Sequence, residues 1–84
     1  MDKYNGWANR QTWNVALWIM NDEGSYRAAV DLATKRRAKG RRLTGLSAEQ
    51  FVKSTLGWDR TPDGDGLSRV RWGAIAAAIR ELVD

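Results

Sequence analysis

Eighty-four residues, 43% apolar and 29% charged, make one small domain near the lower end of what folds alone, without material for two layers around a deep cleft. The absence of cysteine excludes disulfides and thiolate metal sites, and the absence of histidine removes the commonest general base as well. The net charge of +4 is concentrated in one place: Lys35, Arg36, Arg37, Lys39, Arg41 and Arg42 put six cations into eight residues, while the other eight cations face ten acids.

Residues 1–8 read as an irregular lead-in with a turn signal at Asn5-Gly6 and no apolar run of the signal-peptide type. Asn9 is placed to cap a first helix over residues 10–21, its side-chain oxygen accepting from the free amides of the first turn. Trp13, Ala16, Leu17 and Met20 recur at helical spacing, and Val15, Trp18 and Ile19 carry the apolar surface almost all the way round. Such a helix is the hub of a core or is covered by a partner. The run from Val15 to Met20 is the longest apolar stretch and is far too short to span a bilayer.

Asn21-Asp22-Glu23-Gly24 ends that helix, and Ser25 is placed to cap a second. Tyr26, Ala29, Val30 and Ala33 recur at the inward spacing, while Arg27, Asp31 and Lys35 face out. The last turn carries cations that complement the helix dipole, and Gly40 is a natural stop. A third, short helix opens at Gly45-Leu46-Ser47, where Ser47 and Gln50 match a capping box. Its narrow apolar face is Ala48, Phe51, Val52 and Leu56, and Gly57 ends it. Residues 59–67 are a loop dense in turn residues. The last helix runs from near Ser68 to Leu82, with Trp72, Ile75, Ala76, Ile79, Leu82 and Val83 as its buried stripe, and Gly73 marks a point where another backbone packs closely. No segment alternates with period two over five residues, which disfavours a sheet; short strands over residues 4–7 or 41–46 stay open.

Little in this chain reads as catalytic. Ser25, Ser47 and Ser68 each precede a helix and read as caps, and Ser54 lies inside one. The loop Asp59-x-Thr61-x-Asp63-Gly64-Asp65 imitates a calcium loop in its alternating oxygens, but Val70 stands where the closing bidentate glutamate belongs. A solvated turn is the better reading, so neither a metal nor a cofactor is expected, and the protein is not expected to be an enzyme.

Five tryptophans in so short a chain point to a core built around a few indoles, with Trp13 and Trp72 foremost. Trp18 lies about 140° around the helix from Trp13, so both cannot face one small core. Trp18, Trp58 and Trp7 are therefore the candidate aromatic anchors for a partner. The main binding candidate is the basic stretch Lys35, Arg36, Arg37, Lys39, Arg41 and Arg42. Like charges three and four apart on a helix repel one another, so a compensating anion is expected in the functional state. Phosphates of DNA or RNA and carboxylates of an acidic protein both satisfy that requirement. No pattern of base-reading polar residues accompanies the stretch, and its helix has too small an apolar face to lie on a membrane.

The segment from Asn5-Gly6-Trp7-Ala8-Asn9 through Thr12-Trp13-Asn14-Val15-Ala16-Leu17-Trp18 to Asn21 resembles a family of small, uncharacterised proteins of bacteriophages, prophages and plasmids. They open with NGW-x-N-x-x-TWNVxLW-x-x-N, and Val70-Arg71-Trp72-Gly73-Ala74-Ile75-Ala76 is similar to their V-x-W-x-x-I-A ending. The basic stretch is outside that pattern. The resemblance implies a mobile-element origin and no established enzymatic activity, and with no apolar run of the signal-peptide or membrane-spanning type the expected location is the host cytoplasm. By analogy with small phage proteins it implies a modulator or inhibitor of a host protein or ribonucleoprotein complex, such as a nuclease, CRISPR or transcription complex. The alternative is a non-specific nucleic-acid-binding accessory protein. For the signature residues themselves, Asn9 as a cap and Thr12 and Asn14 as local hydrogen-bonders suffice. The expected fold is mainly α: a compact single domain over residues 1–84, of three to four short helices packed around a Trp-rich first helix.

Overall fold

The structure, a computed structural model, describes Tyr4 and residues 6–84. The elements are α1 (Arg10–Asn21), α2 (Glu23–Ala38), α3 (Gly45–Gln50), a single π-helical turn over Phe51–Thr55, and α4 (Trp72–Glu81). No strand occurs among the described residues, so the connection after α2 is irregular rather than extended in a sheet. Most of the lead-in, including Asn5 of the expected turn, lies outside the described residues; Gly6 takes a positive φ and the Trp7 amide donates to the Tyr4 carbonyl. The radius of gyration, 12.0 Å, is close to the roughly 12 Å that a compact chain of this length adopts.

The helix starts show how local chemistry sets the path. Asn9 accepts from the Thr12 amide at 2.9 Å and opens α1 where its spacing predicts. The first connection is a single residue, Asp22, whose extended backbone ends α1 and whose carboxylate caps α2. That carboxylate accepts from both the amide and the hydroxyl of Ser25, at 2.9 and 2.8 Å. Ser25 is therefore a buried donor to the cap rather than the cap itself, because the charged Asp22 oxygen three residues earlier is the stronger acceptor. At α3 the same shift occurs: Thr44 is the cap, and Ser47 donates its amide to the Thr44 hydroxyl oxygen at 3.2 Å. Ser68 caps nothing, since α4 begins four residues later than its apolar stripe predicts, at Trp72. Residues 68–71 are instead held against α1, as described below.

The core is mainly aliphatic, with Phe51 its one buried aromatic among the described residues, which corrects the expectation of a core of indoles. Val15 and Ile19 of α1, Leu43, Val52 and the α4 pair Ile75 and Ile79 are almost wholly buried, whereas all five tryptophans are half-buried around them. Truncating one of the buried isoleucines to alanine typically costs about 2–5 kcal/mol. Ala29, Ala33, Ala48 and Ala76 are the small residues that let helices approach. Tyr26 points outward at 39% exposure; α2 instead turns Ala28 and Leu32, with Ala29 and Ala33, toward the core. α1 packs on α2 and α4, and the most extensive helix contact is that of α3 with α4. Its closest point is Gly45, where a Cβ would meet the Gly73 amide nitrogen at 3.1 Å and the Trp72 carbonyl carbon at 3.3 Å. The tight approach expected at Gly73 is real, but the side that must lack a Cβ is Gly45, because Gly73's own Cβ direction is open.

Candidate functional site

The basic stretch is folded back on itself by the end of α2. Lys39 is the C-cap, Gly40 follows at φ +66, and two bonds close the turn: Gly40 N–H to the Arg37 carbonyl at 3.0 Å and Arg41 N–H to the Arg36 carbonyl at 2.9 Å. This is the Schellman pattern, in which a left-handed residue lets the chain reverse while satisfying the last helical carbonyls. The reversal returns Arg41 and Arg42 to the side of Arg36 and Arg37. Leu43, 1% exposed, then anchors the returning strand of chain in the core.

α4 completes the arrangement. Arg80 in its last turn donates Nη1 to the Leu43 carbonyl at 2.6 Å, and Arg37 donates Nη1 to the Val83 carbonyl. These crossed bonds tie the C-terminal ends of α2 and α4 together. Between them lies an open cleft of about 250 Å³, walled by the guanidiniums of Arg36, Arg37, Arg41, Arg42 and Arg80, floored by Ala33, Leu43 and Val83, with Asp84 the single acid on its rim. A second depression of similar volume continues from it across Arg36 and Arg41 to Leu32, Lys35 and Lys39. Among the described residues none of the five arginines is ion-paired with a carboxylate; Lys35 pairs with Asp31 at 3.0 Å. A guanidinium has five N–H donors, so the carbonyl bonds of Arg37 and Arg80 fix their position and use only one donor each. Two helix C-termini with their partial negative charge offset part of the mutual repulsion.

At the opposite ends of α1 and α4 the polar residues of α1 hold the long loop. Asn9 Nδ2 donates to the Arg69 carbonyl at 2.8 Å, Gln11 Oε1 accepts the Arg69 amide, and Thr12 Oγ1 accepts the Arg71 amide at 2.9 Å. One turn on, Asn14 Nδ2 donates to Asp63 Oδ2 at 2.8 Å, and Arg10 pairs with Asp65 at 2.9 Å. The Asn14 amide holds the Asp63 carboxyl below the usual carboxylate range, helped by the Trp18 indole N–H, which faces it without a bond of regular geometry, and by Arg10. Thr61, buried at the loop's centre, takes the Asp65 amide on its hydroxyl. Of the oxygens that imitate a calcium loop, those of Asp63 and Asp65 are thus spent on α1 donors, and among the described residues no three acids converge on a point. Thr12 bonds locally to Asn9 as expected and also reaches Arg71, whereas the Asn14 bond is made at long range, to Asp63.

A family model described as a family of unknown function, DUF7249, matches residues 1–82. The chain belongs to this family. No curated protein and no solved structure matches it. The family match takes in both the α1 clamp and the arginine cleft, so the basic stretch lies within the family domain rather than appended to it.

The structure brings Arg36, Arg37, Arg41 and Arg42 to one cleft and places Lys35 and Lys39 on its outer continuation. Arg80 joins them from 38 positions after Arg42, and nothing in its sequence neighbourhood marks it apart from a cation in a helix's last turn. The candidate anchors do not gather there. Trp7 and Trp58 are half-buried against the core, Trp58 beside Trp72 at a separate open depression, and Trp18 turns its nitrogen inward. No described helix is long and apolar enough to cross a membrane.

Proposed function

We propose that this is a non-catalytic binding protein that docks its arginine cleft onto an anionic surface of a host complex that handles nucleic acid, and thereby modulates or inhibits that complex. The resemblance of its N-terminal segment to phage and plasmid proteins supports a mobile-element origin and action in the host cytoplasm. The observation that carries the binding mode is the convergence of five guanidiniums on one cleft with a single acid at its rim. So much like charge held in place costs folding stability, and a bound anion recovers it. The cleft's size decides the kind of ligand. At about 250 Å³ it falls below the roughly 300–1,000 Å³ of pockets that enclose a small molecule, and it is open. It accommodates one or two charged groups of something larger, not a cofactor.

The test is capture of host complexes by the tagged protein beside its Arg36→Glu/Arg42→Glu form. Capture that falls with salt and is lost in the double variant is the expected result. Equal capture by both forms removes the cleft from the function. A purified host target whose activity is unchanged by a saturating amount of protein removes the inhibitor reading for that target.

A further inference from the structure

The cleft and the depression beside it share Arg36 and Arg41, so they form one cationic track over the end of α2 rather than two separate sites. Arg80 and Arg37 stand at one end of the track, and Lys35 and Lys39 at the other. Two consecutive concavities divided by shared guanidiniums suit a ligand whose negative charges repeat along a chain. What the track lacks is equally specific. Apart from Asp84 at the rim, its non-cationic lining is Ala33, Leu43, Val83 and Leu32, of which Ala33 and Leu43 are 3% and 1% exposed, and none is aromatic. The large apolar side chains exposed on the described surface are Tyr26 and Leu46, and neither lines it. A protein partner is ordinarily held by a buried apolar or aromatic anchor ringed by polar contacts, and the track offers none. Base stacking likewise needs an aromatic platform, which is absent here.

From this juxtaposition we infer that the track binds the phosphodiester backbone of a nucleic acid, taking successive phosphates in its two concavities without reading the bases. The inference rests on the anion-docking reading above and names the anion. Guanidinium forks match phosphate oxygens in pairs, and the two anchored ones, Arg37 and Arg80, meet the first phosphate with little loss of side-chain freedom. Arg41 and Arg42, exposed and without a side-chain hydrogen bond to another described residue, close over it. Binding of this kind releases counterions, so affinity falls linearly with salt on logarithmic axes, by about 0.7 per phosphate contacted for a single strand and about 0.9 for a duplex.

The test measures fluorescence anisotropy of labelled mixed-sequence 20-mers, single-stranded and duplex, and of a polyglutamate peptide, titrated with the whole protein between low and moderate salt. The expected result is oligonucleotide binding that tolerates scrambling of the sequence, with a salt slope of about −2 to −3.5 for the single strand, equivalent to roughly three to five phosphates. Arg41→Glu and Arg42→Glu each weaken it roughly tenfold or more and flatten the slope. Arg69→Glu, the same charge change away from the track, has a smaller effect. The two oligonucleotide arms show which form of backbone fits. Polyglutamate binding without oligonucleotide binding overturns the phosphate inference and leaves the docking reading standing. Binding of neither overturns both. Oligonucleotide binding that Arg41→Glu and Arg69→Glu weaken equally also overturns the inference, because net charge rather than the track is then responsible. Thermal unfolding of each variant within a few degrees of the parent shows that the losses are not losses of fold.

Discussion

Thr12→Val removes one oxygen from the junction that joins α1 to the segment before α4. Thr12 is 0% exposed, and its hydroxyl donates to Asn9 Oδ1 at 2.8 Å and accepts the Arg71 amide at 2.9 Å. Valine has nearly the same shape and the same β-branching, so packing and helix propensity change little. Two hydrogen bonds at about 1–1.5 kcal/mol each disappear, and the Arg71 amide is left facing a methyl group; the loss amounts to roughly 2–3 kcal/mol. For a domain of this size that lowers Tm by roughly 10–20 °C. The comparison is Thr12→Ser, which keeps the hydroxyl and gives up one methyl, at about 1 kcal/mol. Urea unfolding followed by tryptophan fluorescence, with calorimetry for Tm, measures both. Should Thr12→Val stay within about 0.5 kcal/mol of the parent while Thr12→Ser loses more, the methyl matters and the hydroxyl does not. The account of the α1 clamp would then be wrong.

Asp63 has a folded-state pKa below its ordinary value of 3.8, chiefly through the Asn14 amide. Its contribution is therefore complete above about pH 4 and lost as pH falls through the lowered pKa, so the Tm gap between the parent and Asp63→Ala, present at pH 7, closes toward pH 2. Asp22 is lowered in the same sense by the Ser25 amide and hydroxyl; Asp22→Ala removes the α2 cap and narrows its Tm gap in the same acid range. Gly45→Ala pushes a methyl against the backbone of Trp72 and Gly73 and destabilises by about 1–3 kcal/mol in denaturant titration. Gly73→Ala meets nothing within 4 Å, at a helical position, and is neutral or stabilising by up to about 1 kcal/mol. The opposite order for the two glycines contradicts the close approach of α3 and α4.

The mainly helical class, the start of α1 at Arg10 behind an Asn9 cap, and the stop of α2 at Gly40 were all legible from spacing and residue type, because each depends on neighbours within a turn. The errors were of two kinds. Ser25 and Ser47 read as caps by residue type, but the helices start three residues earlier, where Asp22 and Thr44 accept the amides of Ser25 and Ser47 themselves. Size and helical spacing point Trp13 and Trp72 into the core, yet both are only half-buried. In so small a domain, aliphatic side chains fill the narrow space between four short helices, and the indoles sit astride its edge.

The amino-acid order alone determined that six cations fall within eight residues and that Asn9, Thr12 and Asn14 are polar groups on an otherwise apolar helix. Only the tertiary structure decided what those groups do. The Schellman turn at Gly40 and the burial of Leu43 fold the basic run into a cleft, and the packing of α4 on α2 delivers Arg80 to it. Asn14 meets Asp63 in the same way, 49 positions along the chain. Caps and periodicity report neighbours within a turn, whereas the company of Arg80 depends on how the whole core closes.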